Sequence, residues 1–244
     1  MLLLLGCGLF KDDFMEINPF GPGLADSTHY SIEKDPKVLE IKAKLSRRYA
    51  SNGNYFNDVR VNVSKGLFNN VLIKEGSVKI NGKQMEERQE FLTNTPVYYS
   101  DDVDWKNGSK YLIIVTLSDG KSYACSLNTY KSNITKFSTP SKANINNELT
   151  VSWTGNNPLA ELRISCSIVK ANNLSFYKGV DIDDSSDQVY TFLPGYFNSV
   201  GDTLSIKEVT LSLISRQYGE ISNEFKNGSE IYSELIIEKL IKNQ

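Results

Sequence analysis

Tyr111-Leu112-Ile113-Ile114-Val115-Thr116-Leu117, Ser118, Asp119-Gly120 and then Lys121-Ser122-Tyr123-Ala124-Cys125 is the stretch that decides the fold class. Two runs rich in β-branched and aromatic residues flank a turn dipeptide, which reads as a β-hairpin closed by a two-residue turn. The first run is apolar on nearly both faces and is therefore expected at the centre of a sheet. A second hairpin signal lies upstream. Val78-Lys79-Ile80 runs into Asn81-Gly82, the pair that supplies positive φ at both centres of a type I′ turn, and Lys83-Gln84-Met85 returns as its partner.

Nearer the N-terminus, Leu39, Ile41, Ala43 and Leu45 alternate with Glu40, Lys42 and Lys44, the pattern of a half-buried antiparallel strand. Val59, Val61 and Val63 repeat it, and Val97-Tyr98-Tyr99 adds another strand. Glu86-Glu87-Arg88-Gln89-Glu90 has helical propensity, and its brevity limits it to a turn or two of helix or a charged loop. Downstream, Thr139-Pro140-Ser141-Lys142 marks a shift in composition with a helix-forbidding proline, which places a boundary near residue 138. Beyond it come Leu149-Thr150-Val151-Ser152-Trp153, the run around Cys166, Val189-Tyr190-Thr191-Phe192-Leu193, the stretch from Thr203 to Arg216, and that from Glu230 to Leu240. Strands at this spacing without helices imply a second antiparallel sandwich. The chain has 244 residues, enough for two domains of roughly 100 residues, each with its own core. Segments 29–138 and 139–244 are the two expected sandwiches, and 1–28, with Asn18-Pro19-Phe20-Gly21-Pro22-Gly23, is the expected tether.

The second half resembles a fibronectin type III or immunoglobulin-like domain through Trp153 and the corner Leu193-Pro194-Gly195-Tyr196. The resemblance implies an inward tryptophan on an early strand and a tyrosine at a strand corner. The expected fold is thus all-β: two tandem immunoglobulin-like antiparallel β-sandwiches after a flexible N-terminal tether.

The run Leu2-Leu3-Leu4-Leu5-Gly6-Cys7 has the form of a bacterial lipobox, in which the thiol of Cys7 receives a diacylglyceryl group and the chain is cut before it. The apolar run is shorter than the roughly 7–15 residues of a complete signal peptide, which reads as a start placed late or a trimmed sequence. A transmembrane helix needs about 20 apolar residues, and Lys11, Asp12 and Asp13 interrupt too early for one. Lys11-Asp12-Asp13 resembles the acidic export signal that sends Bacteroidota lipoproteins to the outside of the outer membrane. That resemblance implies a lipid-anchored protein facing the cell exterior.

Net charge is −2 and the only adjacent basic pair of note is Arg47-Arg48, so no electrostatic footprint for nucleic acid is present. His29 is the only histidine, which excludes most Ser-His-Asp and Cys-His chemistry and any zinc site built on several histidines. Cys125 and Cys166 both fall on the apolar side of an alternation and read as small buried hydrophobes of separate cores, so no disulfide is expected between them. Asp181-Ile182-Asp183-Asp184-Ser185-Ser186-Asp187 begins like a calcium loop, but Ser186 stands where the glycine belongs and Phe192 where the glutamate belongs. It remains either an irregular cation loop or a solvated acidic one, and Asp101-Asp102-Val103-Asp104 raises the same question. Among the aromatics Tyr98, Tyr99, Trp105, Phe176, Tyr177, Tyr190, Tyr196 and Phe197, Trp105 is expected to be the exposed contact anchor, flanked as it is by Asp104 and Lys106-Asn107-Gly108.

These readings converge on a non-enzymatic protein without a cofactor. The role implied by resemblance is an accessory or structural subunit of an outer-membrane β-barrel complex, a nutrient importer or a secretion or insertion machine. The alternative is a glycan- or protein-binding adhesin module, which an exposed aromatic platform beside polar groups would favour. A broad apolar patch would favour docking. A carboxylate-based hydrolase would need paired acids across a deep cleft.

Overall fold

The alternating runs become strands in the computed structural model, which describes residues 30–66, 69–90, 95–129, 134–155, 160–182, 188–198 and 205–244. In chain order these are β1 (Tyr30–Ser31), β2 (Glu40–Tyr49), β3 (Tyr55–Ser64), β4 (Leu72–Ile73), β5 (Ser77–Ile80), β6 (Lys83–Gln84), β7 (Glu86–Gln89), β8 (Pro96–Ser100), β9 (Lys110–Thr116) and β10 (Ser122–Asn128). The second half adds β11 (Lys136–Ser138), β12 (Lys142–Ala143), β13 (Leu149–Thr154), β14 (Glu161–Lys170), β15 (Ser175–Ile182), β16 (Val189–Phe192), β17 (Ile206–Tyr218) and β18 (Glu230–Asn243). The helical content among the described residues is one 3-10 turn, Pro36–Val38, whose Lys37 N–H donates to the Asp35 carboxylate. No helix among the described residues is long and apolar enough to cross a membrane.

One long sheet runs β15-β14-β17-β18-β2-β3-β8-β7, with β12 also on β18. Two smaller sheets, β10-β9-β5-β6 and β11-β13-β16, complete the sandwiches. The pivotal element is β18. It pairs antiparallel with β17 from Tyr232 to Lys242 and, on its other edge, parallel with β2 from Glu230 opposite Lys42 to Ile237 opposite Tyr49. The last strand of the chain therefore sits inside the sheet that contains the first long one, and the two expected units share a single continuous sheet.

Side-chain alternation shows where the smaller sheets lie. Ile231, Leu235 and Ile241 share one face of β18; Ile231 belongs to the first core and the other two to the second. Both smaller sheets consequently pack on the same side of the long sheet. The first core takes Leu39, Ile41, Leu45, Val59, Val61, Ile113 and Val115 together with Phe225 from the far end of the chain. The second takes Val151, Trp153, Ile164, Val209, Leu211 and Phe192.

The opposite side of the long sheet is an open polar face, and at its centre lies Glu234, only 1% exposed. Lys44 (3.3 Å) and Arg216 (3.4 Å) approach its two carboxylate oxygens, and the Ser46 hydroxyl donates to it at 3.1 Å. These partners come from β2 and β17, so one buried charge is satisfied from both strands that flank β18. A buried carboxylate left without such partners would be expensive, which ties the three strands to one register.

Several expectations meet the structure directly. Asn81 and Gly82 have φ of 47° and 82°, and Lys79 and Ile80 pair with Gln84 and Lys83. The central hairpin is present, with β9 between β10 and β5, but its loop has three residues where two were expected. Leu117 N–H donates to Lys121 C=O, Gly120 N–H donates to Leu117 C=O, and Gly120 takes φ of 82°. That is a tight turn followed by a left-handed residue, a geometry that glycine adopts at no steric cost. The charged run Glu86–Gln89 is a strand and not a helical turn: pairing with β8 at the sheet edge outweighs a local propensity too short to nucleate a helix. Cys125 lies in the first core and Cys166 in the second, both buried as free thiols.

Candidate functional site

Where β2 turns into β3, the last pair of the hairpin is Tyr49 opposite Tyr55. The turn between them closes through Ala50 N–H to Asn54 C=O at 2.8 Å, and Asn52 accepts from Asn54 N–H at 3.0 Å. Gly53 takes a φ of 88°, which glycine adopts without steric cost, and the Asn52 side chain stabilises the turn by bonding the backbone two residues on. The hairpin projects past the first core, so its aromatic rings stay in solvent: Tyr49 is 37% exposed, Tyr55 61% and Phe56 56%. Tyr49 and Tyr55 lie on the side of the smaller sheets, with ring centroids 6.1 Å apart and planes inclined by 41°. Phe56, one residue out of phase with Tyr55, points to the opposite side.

Arg47 holds this pair in place. Its guanidinium lies 5.6–5.9 Å from the centroids of Tyr49, Tyr55 and Trp105. It donates to Asn57 Oδ1 at 2.8 Å and to the Trp105 carbonyl at 3.5 Å. A planar cation stacked among three rings and fixed by directional hydrogen bonds leaves the tyrosines little freedom to lose on binding.

Trp105 is not the exposed anchor expected of it: it is 4% exposed and belongs to the first core. The segment around it is extended, so Val103 and Trp105 turn inward while Asp102, Asp104 and Lys106 turn out. The charged neighbours that suggested exposure are the outward half of an alternation. Its indole N–H donates to Asn107 Oδ1 at 3.0 Å. The Tyr111 hydroxyl pins the same loop by donating to the Asp104 carbonyl (2.6 Å) and accepting from Lys106 N–H (2.7 Å).

Beside the hairpin tip, between the two smaller sheets, runs a groove of about 520 Å³. Leu235 and Ile237 of β18 line it, with Tyr49 and Asn107 from the first sandwich and Thr135 and Phe137 from the second. A second depression of about 400 Å³ continues it toward Ser138, Thr139 and Leu240, and the two share Lys136, Phe137 and Lys239. Between Ile237, the last residue opposite β2, and Lys242, the first opposite β12, no strand among the described residues pairs with this edge of β18. The groove is the space left by that gap. Lys239 occupies a core-facing position between Ile237 and Ile241 yet is exposed, because neither smaller sheet covers it. Neither Lys136 nor Lys239 has an ion-pair partner among the described residues. Glu238, the acid at the groove, lies 3.8 Å from Arg48, and burial raises its carboxyl above the ordinary range.

The remaining expected groups fall elsewhere. Cys7, Lys11, Asp12, Asp13 and His29 lie outside the described residues, as do Asp183, Asp184 and Asp187. Asp101 pairs with Arg88 (3.5 Å), Asp102 with Lys83, Asp104 with Lys106 (3.0 Å) and Asp181 with Arg163 (3.7 Å). Each described acid of the two clusters thus has a cationic neighbour of its own, and among the described residues no three metal-ligating side chains gather. Tyr98 is fully buried, its hydroxyl accepting from Ile73 N–H at 2.7 Å, and Tyr99 lies beneath Arg88 and Arg60. Tyr190, Tyr196 and Phe197 stack around Phe192 in and beside the second core. Burial pushes the Cys166 thiol up to about 12 and raises that of Cys125, so neither is a ready nucleophile.

No protein-family model matches the chain, and no curated protein matches it. Among solved structures it is similar to dimeric latent PorU from Porphyromonas gingivalis, at 10% identity and a TM-score of 0.24, over 90% of this chain and 22% of that one. It is also similar to SGBP-B of the Bacteroides ovatus mixed-linkage glucan utilization locus, solved with a mixed-linkage heptasaccharide, at 13% identity and a TM-score of 0.24, over 91% of this chain and 47% of that one. The chain spans less than half of either protein, and a likeness of this depth carries no argument about function.

Proposed function

We propose that this chain is a non-catalytic recognition module on the exterior of the outer membrane, held by lipid on Cys7 and sent there by Lys11-Asp12-Asp13. The membrane address rests on those N-terminal residues. The recognition role rests on one observation: an exposed tyrosine pair, ordered by Arg47, beside a groove in which Asn107, Thr135, Lys136 and Lys239 stand around the apolar Phe137, Leu235 and Ile237. Aromatic faces beside hydrogen-bonding groups are the composition of a contact site, and the described residues near the groove include no activated nucleophile or acid–base pair. The sandwiches serve as the rigid scaffold that fixes the tip against the groove.

The accessory-subunit role at an outer-membrane β-barrel complex is the second reading. Phe56 favours it, because with Phe56 on one side and the tyrosines on the other the hairpin is an aromatic finger of the kind that enters a protein pocket. A photo-crosslinking amino acid at position 55, in intact cells, tests the site, with position 150 on the outward side of β13 as control. Adducts from 55 and not from 150 are expected. Equal yield from both, or none from 55, would remove the groove as the contact surface.

A further inference from the structure

We propose that the groove binds an extended acidic saccharide, whose sugar rings stack on Tyr49 and Tyr55 and whose carboxylate or sulfate groups are met by Lys136 and Lys239. This rests on the recognition role above and names its ligand class.

Shape is the first argument. The two depressions share Lys136, Phe137 and Lys239 and so form one furrow, which suits a length of polymer better than a compact molecule. Charge is the second. Lys136 and Lys239 both line the two depressions and have no ion-pair partner among the described residues, while Glu238 lies against Arg48. The furrow therefore carries a local positive surplus on a chain whose net charge is −2. Lining chemistry is the third. Asn107, Ser51, Thr135, Ser138 and Thr139 offer the donors and acceptors that sugar hydroxyls require. The furrow also has an apolar floor of Ile134, Phe137, Leu235 and Ile237, on which the apolar faces of sugar rings can lie, and the aromatic surface beside it is two exposed rings inclined by 41°.

Affinity electrophoresis of the full-length Cys7→Ser protein tests this, in gels containing polygalacturonate, chondroitin sulfate, neutral dextran or polyglutamate. The expected result is retardation by at least one acidic polysaccharide, with little in dextran or polyglutamate. Tyr49→Ala/Tyr55→Ala should weaken that retardation at least tenfold. Lys136→Gln/Lys239→Gln, at two exposed positions where an unchanged melting temperature is expected, should weaken it similarly and flatten its dependence on salt. Equal retardation in polyglutamate would assign the furrow to acidic peptides, and retardation in dextran unaffected by the lysine pair would remove the role of charge. Retardation in no gel overturns the saccharide assignment. If position 55 still crosslinks to a protein in cells, the recognition role survives that failure; if it crosslinks to nothing, both fall.

Discussion

Asp58 lies on the open side of the long sheet, 3.6 Å from Arg60 on its own strand, with Lys44 and Arg48 of β2, Glu234 of β18 and Asp101 beyond β8 around it. Burial outweighs these cations and raises its carboxyl to about 6 from an ordinary 3.8. A raised carboxyl means that between those two values the folded chain keeps a proton which the unfolded chain has released. Its contribution therefore favours folding below about pH 4 and is lost as pH rises to about 6, by up to about 3 kcal/mol for a shift of this size. Glu238 acts in the same sense. Denaturant melts at pH 4.5 and pH 7 should show a smaller difference for Asp58→Asn than for the unaltered protein; an unchanged difference would refute the assignment. Glu234→Gln removes the charge that Lys44 and Arg216 share and is expected to cost about 3 kcal/mol, read as a lowered denaturant midpoint with unchanged slope. Trp105→Ala empties a core position and should cost about 4 kcal/mol, whereas loss of an exposed side chain would cost little.

Among the elements, what was legible in the sequence is what is local. Asn81-Gly82, the alternation of β2 and β3 and the inward cysteines follow from neighbours within a few residues, and the structure repeats them. The β2–β3 tip was also within reach of such reasoning, since Tyr49 and Tyr55 symmetrically flank Ala50-Ser51-Asn52-Gly53-Asn54. Lys239 left a fainter mark, as a lysine where the period-two pattern of β18 calls for an apolar residue. Trp105 misled because the charge of its neighbours was read without their alternation. Gly219 shows a constraint no local pattern reveals: a methyl group there would stand 2.3 Å from the Ser126 carbonyl and 2.8 Å from Leu127, so the segment before β18 lies flush against β10. Gly219→Ala should force that contact apart and lower the melting temperature, while Gly53→Ala meets open space and is limited to the strain of its positive φ. If the two variants melt alike, the close approach is not constraining.

At the scale of the whole molecule, the change in sequence character near residue 138 could be read in the chain, but the pairing of β18 with β2, which carries Ile231 into the first core, could not. A parallel partner so far along the chain leaves no turn signal, and its specificity resides in Glu234, Ser46 and Lys44 meeting across the seam. Ser233, also buried there, donates to the Asn128 carbonyl at 3.0 Å and links β18 to the end of β10. Because β18 contributes to both cores, the sandwiches should melt as one unit. Calorimetry is expected to show a single transition with equal calorimetric and van't Hoff enthalpies, and two resolved transitions would show that the shared sheet couples the halves weakly.

The same parallel pairing has a mechanical side. Glu230, where β18 begins, lies opposite Lys42, near the start of β2, so the two strands run in the same direction. A pull applied at residue 30 drags β2 from its first residue, and an opposing pull at residue 244 drags β18 from its last. The strands are then drawn past one another lengthwise, and the ladder between them must yield all at once, not peel open bond by bond. Stretching single molecules between those two positions should therefore give one high rupture force.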